Sequence, residues 1–130
     1  MNTKVLMATS ALFLGIIGLF LSFFPKEIIT FLNIESNSIT ILFLQLLGSL
    51  YLGFGILNWM AKGTLIGGIY NKPIAIGNFM HFGVGAITLI KIILSGQEQY
   101  EIRILAIPYI IFGLCFAYIF MTNPIKIQNK

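Results

Sequence analysis

Apolar residues gather into four long runs, at positions 5–24, 41–60, 74–94 and 104–121. Each holds 18 to 21 residues, enough to cross a hydrocarbon layer of about 30 Å as a helix. Inside a bilayer a segment must satisfy its own backbone polar groups, so runs of this length are helices. A barrel would need short strands of alternating polarity, and no such alternation occurs. The pattern therefore predicts an all-α membrane protein: a single domain, 1–130, of four transmembrane helices in an up-down bundle. Lys4 and the first run resemble the start of a signal peptide, but the apolar stretch is too long. Leu21-Ser22-Phe23-Phe24-Pro25 also lacks a small-x-small cleavage site, so an uncleaved first helix is expected.

The connection after the first run is itself apolar. Pro25 is followed by Ile28, Ile29, Phe31, Leu32 and Ile34, which predicts a short interfacial helix between helices 1 and 2. Gly63, Gly67 and Gly68 lie in the 61–73 connection without the spacing of a phosphate-binding loop.

Composition turns this pattern into exclusions. The chain is 58% hydrophobic and 9% charged, with a mean hydropathy of +0.95. An ordinary soluble domain carries about 25% charged residues, so a soluble domain, a disordered chain and a disulfide scaffold are all excluded. Cys115 is the single cysteine and closes no internal disulfide. The net charge of +4 comes from scattered lysines rather than a basic face, so no nucleic-acid partner is expected. Lys4, Lys62, Lys72, Lys126 and Lys130 fall on one side of the predicted topology. Lys26, Lys91, Arg103 and all four acids (Glu27, Glu35, Glu98, Glu101) fall on the other. The positive-inside rule then places both termini in the cytoplasm.

Two sets of positions carry the candidate interactions. On helix 1, Ala8, Ala11, Gly15, Gly18 and Ser22 share a face and form a small-residue stripe, an interface either within the bundle or to a second copy. Helix 4 has a shorter one in Ala106, Gly113 and Ala117. Polar residues on helices 2 and 3, namely Gln45, Tyr51, Asn58, Asn78, His81 and Thr88, are expected to face inward as a hydrogen-bonded ladder. They form the candidate ligand-binding cluster. His81 is either a neutral core histidine bonded to Tyr51 or a carbonyl, or a ligand or proton-transfer group. Lys91 is expected to snorkel to the interface, beside Glu98 or Glu101. Trp59, Tyr109 and Tyr118 are expected in an aromatic belt. Tyr51-x-x-Phe54-Gly55-Ile56 recurs 58 positions later as Tyr109-x-x-Phe112-Gly113-Leu114, as two helix hairpins of one ancestor would.

No Asp occurs and no Glu lies inside a run. A carboxylate-coupled carrier, a Ser/His/Asp triad and a thiol redox pair are therefore not expected, nor are catalytic residues, a metal site or a cofactor. Three functions stay open: an accessory or scaffold subunit, a binder of a lipid, quinone or other apolar molecule in the bundle core, and an oligomeric channel or carrier. The expected partners are the lipid bilayer, a second copy or another membrane protein, and a lipid-like ligand.

Pro25 closing the first run, the segment Phe31-Leu32-Asn33-Ile34 and the small-rich stretch Leu46-Leu47-Gly48-Ser49-Leu50-Tyr51-Leu52-Gly53-Phe54-Gly55 together resemble the small bacterial DoxX-like membrane proteins. The resemblance implies four spanning helices in the bacterial inner membrane and, in some members, association with quinone-linked or thiol redox systems. It carries no catalytic residue onto a position of this chain.

Overall fold

A computed structural model describes residues 2–64, 66, 68–96 and 100–122. Five helices appear in the order α1 (Thr3–Phe23), α2 (Pro25–Phe31), α3 (Ser38–Ala61), α4 (Lys72–Leu94) and α5 (Tyr100–Met121). Four of them, all but α2, are long and apolar enough to cross a membrane, and no strand occurs among the described residues. The long helices overrun the apolar runs by up to a turn because their caps sit in polar flanks. The Asn2 side chain accepts from the Lys4 and Val5 amides, and the Asn37 side chain accepts from the Thr40 amide at 2.8 Å. Pro25 disfavours helical backbone at Phe24, which ends α1 and lets Pro25 open α2. Asn33, at φ 51°, ends α2 in the left-handed region, with the Ile34 amide donating to the Ile29 carbonyl. The short helix expected between the first two spans is therefore present.

The chain divides into two units, 1–63 and 64–130. The first is an antiparallel hairpin of α1 and α3, with α2 at the turn. Its crossing is set by residues without side chains. A Cβ on Gly55 would stand 3.2 Å from the Gly15 amide nitrogen and from the Ala11 carbonyl. A Cβ on Gly18 would stand 2.8 Å from the Leu52 amide, and one on Gly48 would strike the Ser22 hydroxyl. The candidate stripe on α1 thus lies along α3 of the same chain, with Ala11 and Gly18 buried and Ala8, Gly15 and Ser22 half-buried. No hydrophobic drive separates helix from lipid in a bilayer, so close backbone approach and dispersion hold such a seam.

The second unit is an antiparallel hairpin of α4 and α5. Its core is aromatic, with Phe82 at ring-centroid distances of 4.9 Å from Phe112 and 5.8 Å from Phe116. Pro108 lies inside α5 and removes one ladder donor.

Both hairpins follow one packing scheme. The buried positions of α3 are Gly48, Tyr51, Gly55, Asn58 and Ala61; those of α5 are Ala106, Tyr109, Gly113, Phe116 and Ile119. The two sets coincide at an offset of 58 (48 to 106, 61 to 119), the spacing of the Tyr-x-x-Phe-Gly repeat. The buried Ala75, Asn78, Phe82 and Ala86 of α4 likewise match Met7, Ser10, Leu14 and Gly18 of α1 at an offset of 68. Glycine meets glycine at the same point in each: Gly55 on Gly15, and Gly113 on Gly83, whose amide lies 3.5 Å from a Cβ built on Gly113. The ten-residue difference in offset is the extra connection that carries α2.

The Gly48 contact generates a test. Gly48→Ala forces a methyl against Ser22 and is expected to cost about 1–3 kcal/mol, read as a lowered Tm in detergent. Gly53→Ala, where an added Cβ meets nothing within 4 Å, is expected to leave Tm unchanged or raise it.

Candidate functional site

The six polar candidates divide between the units, Gln45, Tyr51 and Asn58 in the first and Asn78, His81 and Thr88 in the second. In the first hairpin Asn58 and Ser10 are both fully buried, and the Asn58 amide donates to the Ser10 hydroxyl at 3.1 Å. Ser10 in turn donates to the Met7 carbonyl at 3.1 Å. Tyr51 is buried on the same face of α3. Gln45 is exposed near the opposite end, its amide 3.4 Å from the Ser22 carbonyl. Ser10 is the partner that sequence reasoning missed. Its signal was its place on α1 between Met7 and Leu14, on the face that packs.

In the second hairpin Asn78 is fully buried and donates to the Ile74 carbonyl at 3.0 Å. His81, half-buried, places Nε2 3.3 Å from the Tyr109 hydroxyl, and its ring stands edge-on to Phe82 at 5.0 Å. Tyr109 is 4% exposed, so it belongs to the interior rather than to an interfacial belt. The reason is the register: Tyr109 falls on the face of α5 that meets α4, where a Cβ on Gly85 would run into its ring. Trp59 and Tyr118 are exposed, as belt residues are. Thr88 is exposed, its hydroxyl bonded to the Val84 carbonyl one turn back. Lys91 is exposed in the last turn of α4, and of its two expected partners Glu98 lies outside the described residues, as do Gly67, Lys126 and Lys130.

Of these contacts, Asn58–Ser10, Gln45–Ser22 and His81–Tyr109 join two helices, while the Asn78–Ile74 and Thr88–Val84 bonds lie within α4. Among the described residues no three of His, Cys, Asp and Glu gather where they could share a metal. An open groove lies elsewhere, on the first hairpin: about 340 Å³, lined by Ala11, Leu12, Gly15, Ile16, Leu19, Leu52, Gly55, Ile56 and Trp59. Its floor is the Gly15–Gly55 crossing, and above Gly15 an added Cβ would meet nothing within 4 Å. Lys62, the C-cap of α3, holds its ammonium 2.9 Å from the centre of the Trp59 ring at one end. Sequence reasoning found three of the groove's glycine and alanine positions (Ala11, Gly15 and the repeated Gly55). It missed the groove because a stripe of small residues looks the same whether it closes fully or leaves a slot.

The Tyr109–His81 contact is measurable as a double-mutant cycle of Tyr109→Phe and His81→Phe. A coupling of about 0.6 kcal/mol, and no more than roughly 1.7, is expected from hydrogen bonds between membrane helices. A coupling of zero would show that the two groups do not bond. No family model, curated protein or solved structure matches the chain.

Proposed function

We propose that this chain is a small, non-enzymatic, multi-pass protein of the bacterial inner membrane that holds an apolar molecule, a lipid or quinone, against its first hairpin. In this reading the four long helices run up and down as a bundle with both termini in the cytoplasm, as the lysine distribution favours. The DoxX-like pattern of Pro25, Phe31-Leu32-Asn33-Ile34 and the 46–55 stretch supports the same placement. The observation that carries the role is the groove of about 340 Å³, within the size range of small-molecule sites and walled by aliphatic side chains. Its floor is backbone brought close by glycine, so an apolar chain lying in it touches protein on three sides. Asn58 is bonded to Ser10 and His81 to Tyr109 inside the helix pairs, and none of the six candidates lines the groove.

A second reading, an accessory or scaffold subunit, is favoured by a different observation. Ile104, Ile107, Ile111, Leu114 and Tyr118 are all exposed along α5 at alternating spacings of three and four. A stripe with that period suits a partner helix.

One purification separates the readings. The protein is isolated in mild detergent, and its bound molecules are extracted and identified by mass spectrometry. One apolar molecule per chain is expected. A stoichiometric protein partner with no retained apolar molecule would instead establish the subunit reading.

A further inference from the structure

Comparison of the two hairpins shows what the groove lacks. At the offset of 68 that aligns α1 with α4, Ala11 corresponds to Phe79 and Gly15 to Gly83. In the second hairpin the Phe79 ring fills the space over the crossing, lying 3.4 Å from a Cβ built on Gly83 and stacking on Phe120 at 6.0 Å. In the first hairpin the corresponding residue is an alanine, and the slot stands open. One crossing is completed by its own side chain; the other is left for something else to complete.

The dimensions favour a lipid chain over a helix. On α3 the lining runs from Leu52 to Trp59, in the C-terminal half of that helix, and on α1 from Ala11 to Leu19, from the middle of that helix toward its far end. At about 1.5 Å per residue the groove is about 10–12 Å long, close to one leaflet of a hydrocarbon layer of about 30 Å. A partner helix would find a seam of only about two turns. The charges select the headgroup. Because α1 and α3 are antiparallel, with Ser10 level with Asn58, Lys4 and Lys62 share the end where Trp59 closes the groove. Both acids of this unit, Glu27 and Glu35, lie toward the other end, at α2 and the start of α3.

From this juxtaposition we infer that the Gly15–Gly55 groove is a site for one acyl chain of an anionic glycerophospholipid from the leaflet at the amino-terminal end, with its phosphate at Lys62. The inference rests on the apolar-ligand reading above and specifies its ligand. Trp59 walls the glycerol level, and Lys62 supplies the charge that a zwitterionic lipid matches less well.

The test titrates the delipidated full-length protein with dioleoyl-phosphatidylglycerol and, separately, dioleoyl-phosphatidylcholine, reading bound lipid per chain by native mass spectrometry. Phosphatidylglycerol is expected to bind about fivefold more tightly, the worth of one lysine at an anionic surface. Lys62→Gln is expected to erase that preference while leaving phosphatidylcholine affinity in place. Gly15→Leu, which puts a side chain into open space on a helix, is expected to weaken both lipids at least tenfold without lowering Tm. Gly53→Leu, outside the groove, leaves both unchanged. Equal affinity of the wild type for the two lipids would overturn the anionic assignment while the apolar-ligand reading survives. Retention of neither lipid by the wild type would overturn both. Undiminished lipid binding in Gly15→Leu overturns the groove as the site, and dissociation of a dimer by that variant, with lipid binding intact, gives the groove to a second copy instead.

Discussion

Two helices in a lipid environment gain nothing from hiding apolar surface from one another, since lipid tails are as apolar as leucine. What they can gain is contact, and contact is limited by how near their backbones come. Here that limit is removed by glycines along each seam, at Gly18, Gly48 and Gly55 in the first hairpin and where Gly113 crosses Gly83 in the second. The rest follows from those points. The crossing fixes the register, the register decides that Tyr51 and Tyr109 turn inward, and the inward face brings Asn58 to Ser10 and His81 to Tyr109. A larger residue at Gly18 or Gly48, where an added methyl meets backbone, would separate α1 from α3 and pull Asn58 from Ser10, although neither partner is a glycine.

Much of this was legible in the sequence. The four spanning helices came from apolar run length alone, and the short α2 from Pro25 and the isoleucines after it. The offset of 58 in the Tyr-x-x-Phe-Gly repeat pointed to the shared scheme of the hairpins, because a tyrosine and a glycine at i and i+4 lie on one helical face. What the sequence could not assign was partnership. Six polar positions spread along two helices permit many pairings, and depth in the membrane eliminates only some. Tyr109 illustrates the difficulty. By distance from the span's end it suits the interface; by rotation about the axis it faces α4, and the rotation decides.

The groove was hidden for a related reason. Ala11 and Gly15 belong to a stripe that elsewhere closes tightly: at Gly18 and Gly48 an added methyl would meet backbone. Only three residues from Gly18, Gly15 has open space beside it. Composition is uniform along the stripe while its closure is not, because the filling depends on the side chains that flank each small residue. Periodicity reports which residues share a face. It does not report how far away the opposite face lies.

The contrast between the hairpins bears on where a function would reside. Equivalent positions carry different residues in two informative places. Asn58 stands where the second hairpin has Phe116, and Ala11 stands where it has Phe79. In both cases the first hairpin has given up an aromatic ring. The buried asparagine is matched by Ser10, so that loss is offset by hydrogen bonding and the seam stays closed. The alanine is matched by nothing in its own hairpin, so contact area is lost and a slot results. A void beside packed atoms forfeits their dispersion energy, and in a bilayer the molecules at hand to recover it are lipids. The second hairpin, with its aromatic core, is the self-sufficient half. The first is the half whose packing leaves a slot, and that slot is what makes it the candidate for recognition.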